Sequence, residues 1–578
     1  MTAWLAGQFA SARATPFGRL VEHFLLGLFR STGDSGPSEY ELSPSGLLGL
    51  LAVPGAFIAL SLFGKYSSLM RYIRQERAFD VYVASLPDKY FFIVFSMVVT
   101  GVVAVLQWDR ILPSRADYFN FAPLPVSLRN VFLANLAAIL LAVAVFAVDV
   151  NMASTILFPM VVTADSSAGA GFTGFLGFVG AHAVCVILAS LFTFFAFVAV
   201  SGALMTALPA ALFARVSLYL RITALAALFG VLTTSFAVLP DVKRLASQPD
   251  SWVSWLPPVW FLGLYQWMQG RAAPPLDALG ALALQATLAA FVAAMVVYAI
   301  SYRRYFLRIP ETLESKSAAS SEQSGRISAW LNRTWLSSGF QRACYYFGIK
   351  TLLRSETHCL AFGGIVALGV VIAAQRAMRA ADTARLEEWL SLSYIVAYCV
   401  IVGLRFVFEM PVGLRANVVF RAGLDPNAHE VGAVARKIIW TFLVPGVLAP
   451  SLAISVWALG PLQGVLHTLA AGAACWLLME LLLLRFRKIP FTCSMPPFQN
   501  HVIMMVFLYV LGFTAFALLL PAIERRLLAT PALLVLVPLA MAAAEYFFQH
   551  ARRDEDHDRF LIYEDRPEAA VTVIRLAD

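Results

Sequence analysis

The chain has 578 residues, 60% of them hydrophobic and 13% charged, with a formal net charge of +8. A soluble protein of this length could not hide so much apolar surface. The basic excess reads as the flanks of membrane helices rather than as a nucleic-acid surface.

Apolar runs of about 20 residues recur along the chain, the length that crosses a bilayer core of about 30 Å. The short alternating strands of a membrane barrel do not occur. The expected fold is all-α: a polytopic transmembrane helical bundle of about 12 spans in two six-helix halves.

Residues 1–45 form the lead-in. Phe17, Leu20, Val21, Phe24, Leu25, Leu28 and Phe29 recur at helical spacing, with Arg13, Arg19 and Arg30 between them. That pattern predicts an amphipathic helix lying in the membrane interface. The first six spans are expected near 46–64, 90–107, 131–149, 173–200, 216–238 and 279–301, within a first half at 46–305. The stretch "PETLESKSAASSEQSG" (310–325) is polar without a core-forming pattern, so 306–357 reads as a cytoplasmic linker. Spans near 358–375, 387–408, 438–459, 464–484, 500–520 and 529–548 make a second half at 358–549, followed by a C-terminal tail at 550–578.

The distribution of Lys and Arg favours both ends inside. "RRYFLR" (303–308) and "RFRK" (485–488) are inner segments, and 150–171 carries no Lys or Arg. One outer segment disagrees: 65–89 holds Lys65, Arg71, Arg74, Arg77 and Lys89, offset in part by Glu76, Asp80 and Asp88. The expected location is the plasma membrane, the inner membrane of a bacterium, with both termini cytoplasmic.

Within the first half, "QWDRILPSRADYFNFAPLPVSLRNVF" (107–132) is polar and stiffened by Pro113, Pro123 and Pro125. After Pro125 a helix can start, with Ser127 or Asn130 as its cap. The chain would leave the membrane, turn, and re-enter as a rigid elbow; a plain inter-helix loop is the competing reading. "LPVSLR" (124–129) returns as "MPVGLR" (410–415), after the second span of each half, which suggests an internal duplication. Glycines 171, 174, 177 and 180 share a helix face and predict a close approach by another helix. "SWVSWLPPVWFLGLYQWMQG" (251–270) carries Trp252, Trp255, Trp260 and Trp267 around Pro257 and Pro258. It is too short and too kinked for an ordinary span, and reads as a hairpin that dips into the outer leaflet and returns, or as a surface loop.

Ionisable groups near or within spans are Asp149, His182, Arg405, Glu409, His467, Glu480 and Glu545. His182 and Glu480 lie deepest and are the possible pore-lining groups, although His182 between Ala181 and Ala183 also suits a hydrogen-bonded packing residue. No series of charges reads as a proton relay. Six cysteines are scattered without a CxxC pair, so buried thiols are expected and no metal site. No GxxxxGK[ST], HExxH or GxSxG motif occurs, and no catalytic residue is expected.

Three stretches carry a family resemblance: "ILPSRADYFNFAPLPVSLRNVFLANLAA" (111–138), "GFVGAHAVCVILASLF" (177–192) and "LPPVWFLGLYQWMQG" (256–270). Residues 1–305 resemble the membrane permease subunits of ATP-binding-cassette exporters of the type-2 class. The resemblance implies a coupling helix after span two that docks on a separate nucleotide-binding ATPase subunit, in two copies. Arg115, Asp117, Pro123, Pro125 and Arg129 would form that contact, with Pro411 and Arg415 as a weaker second-half counterpart. Trp255, Pro257, Pro258, Trp260 and Tyr265 would belong to a re-entrant outer hairpin before span six. ATP and Mg would sit in the partner subunit, with no cofactor on this chain; membrane lipid and an exported substrate are the other expected partners. The sequence departs from the family at Ser114, Ala116 and Asn135, and the second half matches only through 410–421. A secondary transporter driven by an ion gradient, or a membrane scaffold or lipid-handling protein, stays open beside this reading.

Overall fold

The computed structural model describes residues 15–29, 44–67, 84–108, 125–163, 171–244, 252–271, 274, 276–308, 325–383, 386–412, 417, 430–484, 486–493, 502–530 and 536–554. Among them the chain is helical, with no strand beyond an isolated bridge at Lys488. Among the described residues, ten helices are long and apolar enough to cross a membrane. The chain is an all-α integral membrane protein. It divides into two compact units, with the chain passing from the first to the second between Ala318 and Ala319.

The first unit contains α1 (Pro16–Phe29), α2 (Pro44–Ser61), α3 (Leu86–Leu106), α4 (Leu128–Thr163), α5 (Gly171–Ala207), α6 (Ala210–Arg244), α7 (Pro257–Met268) and α8 (Leu276–Arg308). Prolines occupy the first turn of α3 and α7, where no intrahelical N–H is needed. At 36 and 37 residues, α4 and α5 run to about 55 Å, well beyond a bilayer core, so their ends stand outside it. Tyr90, Phe92, Phe158, Phe178, Cys185, Phe261 and Tyr265 form the centre of the core, drawn from α3, α4, α5 and α7.

The second unit contains α9 (Gly325–Thr334), α10 (Gly339–Arg354), α11 (Glu356–Thr383), α12 (Leu386–Val407), α13 (Val431–Leu443), α14 (Ala449–Leu459), α15 (Pro461–Leu482), α16 (Val502–Thr514), α17 (Leu520–Ala529) and α18 (Leu536–Asp554). Two π turns, Val444–Leu448 and Ala515–Leu519, join α13 to α14 and α16 to α17 without ending the helix. Their cause is in the sequence. Pro450 and Pro521 cannot donate to the carbonyls four residues back, at Gly446 and Ala517, and both carbonyls lie in the widened turns.

Two expectations change. The stretch 521–528, expected to be an outer loop, is the helical continuation of the eleventh span. The expected linker at 306–357 carries α9 and α10 in its second part, and Leu336, Cys344, Tyr345 and Leu352 are core residues of the second unit. Ten of the twelve expected spans fall on the ten apolar helices, and the other two, 46–64 and 529–548, fall on α2 and α18.

Candidate functional site

The elbow after α3 lies where chain stiffness and helix capping meet. Pro125, Ser127, Arg129 and Asn130 are exposed. Ser127 Oγ accepts the Asn130 N–H at 3.3 Å, and the Ser127 carbonyl accepts it at 2.9 Å, so α4 starts on a cap. Arg115, Asp117 and Pro123 lie outside the described residues. The amphipathic face of α1 braces this start: Leu20, Val21, Phe24 and Leu25 pack on Val126, Val131, Ala134 and Ala138. Asn135, a departure from the family pattern, donates from Nδ2 to Tyr298 Oη at 2.6 Å and ties α4 to α8. The elbow therefore stands on two supports.

At the opposite end of these helices lies α7. It is only 12 residues long, about 18 Å, and too short to cross a bilayer. Its Val259, Phe261, Leu262, Leu264 and Tyr265 are buried, so the backbone at that depth is shielded by neighbouring helices. A Cβ on Gly263 would lie 2.4 Å from the Leu276 carbonyl oxygen, and one on Gly280, across the seam, 3.0 Å from the Leu264 nitrogen. Pro257 and Pro258 start the helix rather than interrupt it, and Trp260 Nε1 donates to the Ser254 carbonyl at 2.8 Å across that turn. Trp252, Trp255 and Trp267 stay exposed, as suits rings at a headgroup layer.

Beneath α7 lies a buried polar cluster. His182 Nδ1 and Tyr265 Oη are 3.1 Å apart. Lys89 is fully buried; its Nζ donates to Gln269 Oε1 at 2.7 Å and lies 5.1 Å from the ring centroids of both Phe178 and Tyr265. Lys65 donates to both Asp88 oxygens, at 2.8 and 2.7 Å, and Tyr66 donates to the same carboxylate. Burial and the neighbouring Asp88 charge push the Tyr66 phenol far up, so it remains a donor. Of the basic residues in the discordant outer segment, Lys89 is thus bound inside the protein, while Lys65, itself exposed, is paired with the buried Asp88.

The glycine face 171–180 does not serve as expected. Cβ atoms on Gly171, Gly177 or Gly180 would meet nothing within 4 Å among the described residues. Close approach is made instead at Gly202, against Val297, and at Gly263 against Gly280. Packing density, not glycine spacing, decides where helices touch.

In the second unit, the counterpart of the elbow is tied down. Phe491, with φ of 69°, donates its N–H to the Phe408 carbonyl and accepts from Val412 N–H, at 2.9 and 3.1 Å. His358 Nε2 lies 3.0 Å from the Met410 carbonyl, and Asn417 Nδ2 donates to Thr492 O at 2.7 Å. Within 488–500, a stretch to which the sequence assigns no role, residues 488–493 hold the turn around Pro411. Arg415 lies outside the described residues. Glu480 is buried and accepts Arg436 Nη1 on both oxygens at 3.1 Å. Its carboxylate is spent on an ion pair between α13 and α15.

A further group was not foreseen. His467 Nε2 lies 2.6 Å from Ser393 Oγ, and its Nδ1 lies 2.9 and 3.0 Å from the Glu524 oxygens. Tyr394 Oη donates to Glu524 Oε2 at 2.8 Å. All four residues are buried. Sequence reasoning passed over Glu524 because it was placed in a loop. The available signal was helical periodicity: Phe516, Leu520 and Glu524 continue one face at intervals of four.

No protein-family model, curated protein or solved structure matches this chain.

Proposed function

We propose that the chain is the permease subunit of an ATP-driven export system in the inner membrane, powered by separate ATPase subunits that dock on the elbow after α3. The observation that carries this reading is the form of that elbow. It is exposed, proline-stiffened, capped by Ser127 and braced by α1 through Phe24. A stiff projection joined to a long helix can transmit a push into the membrane; a floppy loop cannot. The short shielded helix α7 at the other end adds support, since it offers a surface that could open outward.

On this reading the first unit supplies the working contact. The second-unit turn at Pro411 is fastened by Phe491 and is a lesser one. ATP and Mg belong to the partner, and transport is a shift between inward-facing and outward-facing packings.

The test is purification in mild detergent from the native host, followed by identification of a co-purifying ATP-binding protein. Arg115→Glu with Arg129→Glu should abolish transport-coupled ATP turnover. Unchanged turnover and coupling in that double variant would reject the contact.

One observation favours a second reading, transport driven by an ion gradient: the buried Glu524–His467 pair. Cargo movement under a proton gradient without ATP would establish it in place of the first.

A further inference from the structure

We propose that His467, Glu524 and Ser393 form a binding site for one exchangeable proton, held on His467 Nε2. The site is independent of whether a partner ATPase exists.

The placement comes first. Ser393 lies seven residues past Leu386 at the start of α12, His467 six past Pro461 at the start of α15, and Glu524 five before Ala529 at the end of α17. At 1.5 Å per residue, all three lie about 8–11 Å below the same end of their helices. That end is marked by the exposed ion pair Arg525–Glu387, at 2.9 Å, and by Trp389 against Trp457. The site therefore lies about two turns or less beneath that rim rather than at the middle of these helices.

The hydrogen bonds then define two complete states. In the first, Glu524 is ionised and accepts from Tyr394 Oη–H and from His467 Nδ1–H. His467 Nε2 accepts from Ser393 Oγ–H. Every polar atom is paired, and the cluster carries one net negative charge. In the second, a proton from water sits on Nε2, which now donates to Ser393 Oγ. The Ser393 proton turns to the carbonyl of Leu390, 3.4 Å from Oγ. The bonds to Glu524 stay as they were. One proton has been added, one hydroxyl has rotated, no heavy atom need move, and the net charge falls to zero. A buried cluster that can lose its net charge without orphaning a donor is built to take up a proton.

The surroundings leave this balance to the cluster. From α12 it is faced by Tyr394, already bonded to Glu524; Glu388, one turn back, is paired with Arg376 of α11 at 2.7 Å. On α15 the nearest ionisable residue in sequence is Cys475, a buried free thiol two turns on. α17 adds Arg525, engaged by Glu387 at the rim, and Arg526 next to it. The π turn 515–519 contributes Phe516 and Ala517, and α14 has no ionisable side chain.

The first unit provides the contrast. His182 lies on its fourth long helix, α5, and is met edge-on at 82° by Phe92 of α3. His467 is met edge-on at 82° by Tyr394 of α12. The rings have like settings, but His182 bonds only to Tyr265, and its Nε2 has no partner among the described residues. It has neither the anion that would favour charging nor the hydroxyl that would accept the new N–H. Only the second-unit histidine has both.

The experiment is proton uptake by the full chain in detergent, titrated across roughly pH 4 to 9, where imidazole chemistry falls. Infrared difference spectra are recorded in parallel. Wild type should bind one proton per chain more than His467→Gln, with an imidazole band that this variant lacks. Glu524→Gln, nearly isosteric, should lose the same step because the ring no longer has its anion. Ser393→Thr, which keeps the hydroxyl, should retain it. The two loss variants are read separately, each after gel filtration confirms a folded protein, so either decides alone. Equal uptake by wild type and either loss variant would overturn the proposal, as would an unchanged imidazole band in Glu524→Gln. ATP turnover is not read, so this outcome is separate from that of the permease assay.

Discussion

Adding one methyl group at Gly263 should loosen the whole α7 end of the first unit. The new Cβ would lie 2.4 Å from the Leu276 oxygen and 2.9 Å from the Gly280 nitrogen. Ordinary contact begins near 3.4 Å, so α7 and α8 must part by about 1 Å. Both obstacles are backbone, so no side chain can swing away. Overpacking of this kind costs about 1–3 kcal/mol. The movement has a second consequence. Tyr265 and Gln269 belong to α7 and the turn after it, and they hold His182 at 3.1 Å and Lys89 at 2.7 Å. A shift of about 1 Å carries both beyond hydrogen-bond range, and losing these two buried bonds costs roughly another 1–3 kcal/mol. Together the loss is about 2–6 kcal/mol. Thermal unfolding in detergent, followed by tryptophan fluorescence, should show Gly263→Ala melting on the order of 10 °C below wild type. Gly177→Ala is the control, since its Cβ would meet nothing within 4 Å. A Gly263→Ala protein as stable as wild type, or equal damage from Gly177→Ala, would refute the close seam.

Phe24→Ala removes the ring that seats α1 on Val131, Ala134 and Ala138. At about 3 kcal/mol for a buried Phe, it should free α1 and speed proteolysis within 15–29 while leaving the melting of the spans nearly unchanged. Arg436→Met removes the cation paired with the buried Glu480 and should cost about 3–5 kcal/mol, whereas Arg436→Met with Glu480→Met should recover most of it; equal losses would show that the pair is not coupled. Burial pushes the Cys344 thiol on α10 up from 9.0 to about 11 and moves the Tyr345 phenol the same way. The unfolded thiol ionises first, so the stability present below pH 9 is lost as the pH rises from 9 towards 11. Denaturant titrations at about pH 8 and pH 10 should show a smaller fall for Cys344→Ser than for wild type; identical falls would reject the assignment.

Much of the fold was legible because apolar length and proline position act locally. The amphipathic stripe of 16–29, the Ser127 cap and the short run after Pro257–Pro258 all translate directly into the observed elements. The failures share a cause. Charges at Glu524, Arg525 and Arg526 made 521–528 look like a loop, yet a helix can continue into the interface when one charged residue turns inward to a partner and the others turn out. The partner, His467, lies 57 residues away in sequence. Likewise Lys65 and Lys89 counted as free loop charges, because the Asp88, Gln269 and aromatic faces that bind them are brought in only by tertiary packing. The glycines at 177 and 180 failed for the converse reason: spacing offers a groove, but a neighbour must be there to fill it.

The two units share more than the repeated "PV.LR" motif. Each has, ahead of its long helices, a helix outside the ten apolar ones that packs on its third long helix, α1 on α4 and α10 on α13. Each places a buried histidine on its fourth long helix, beside an aromatic ring of its second. If the two units are taken as copies of one ancestral unit, as the repeated motif leads one to expect, their differences become informative. In the first unit the turn before the third helix is exposed, and the histidine has a phenol for company. In the second, Phe491 fastens the equivalent turn, and the histidine has acquired Glu524 and Ser393. A duplicated unit that keeps its surface free while its copy keeps a buried charge suggests a division of labour. The first would take force from a partner, and the second would change its internal charge. That division has a consequence the assays can separate. Substitutions at Arg129 should alter coupling to a partner without touching proton uptake, and Glu524→Gln should do the reverse.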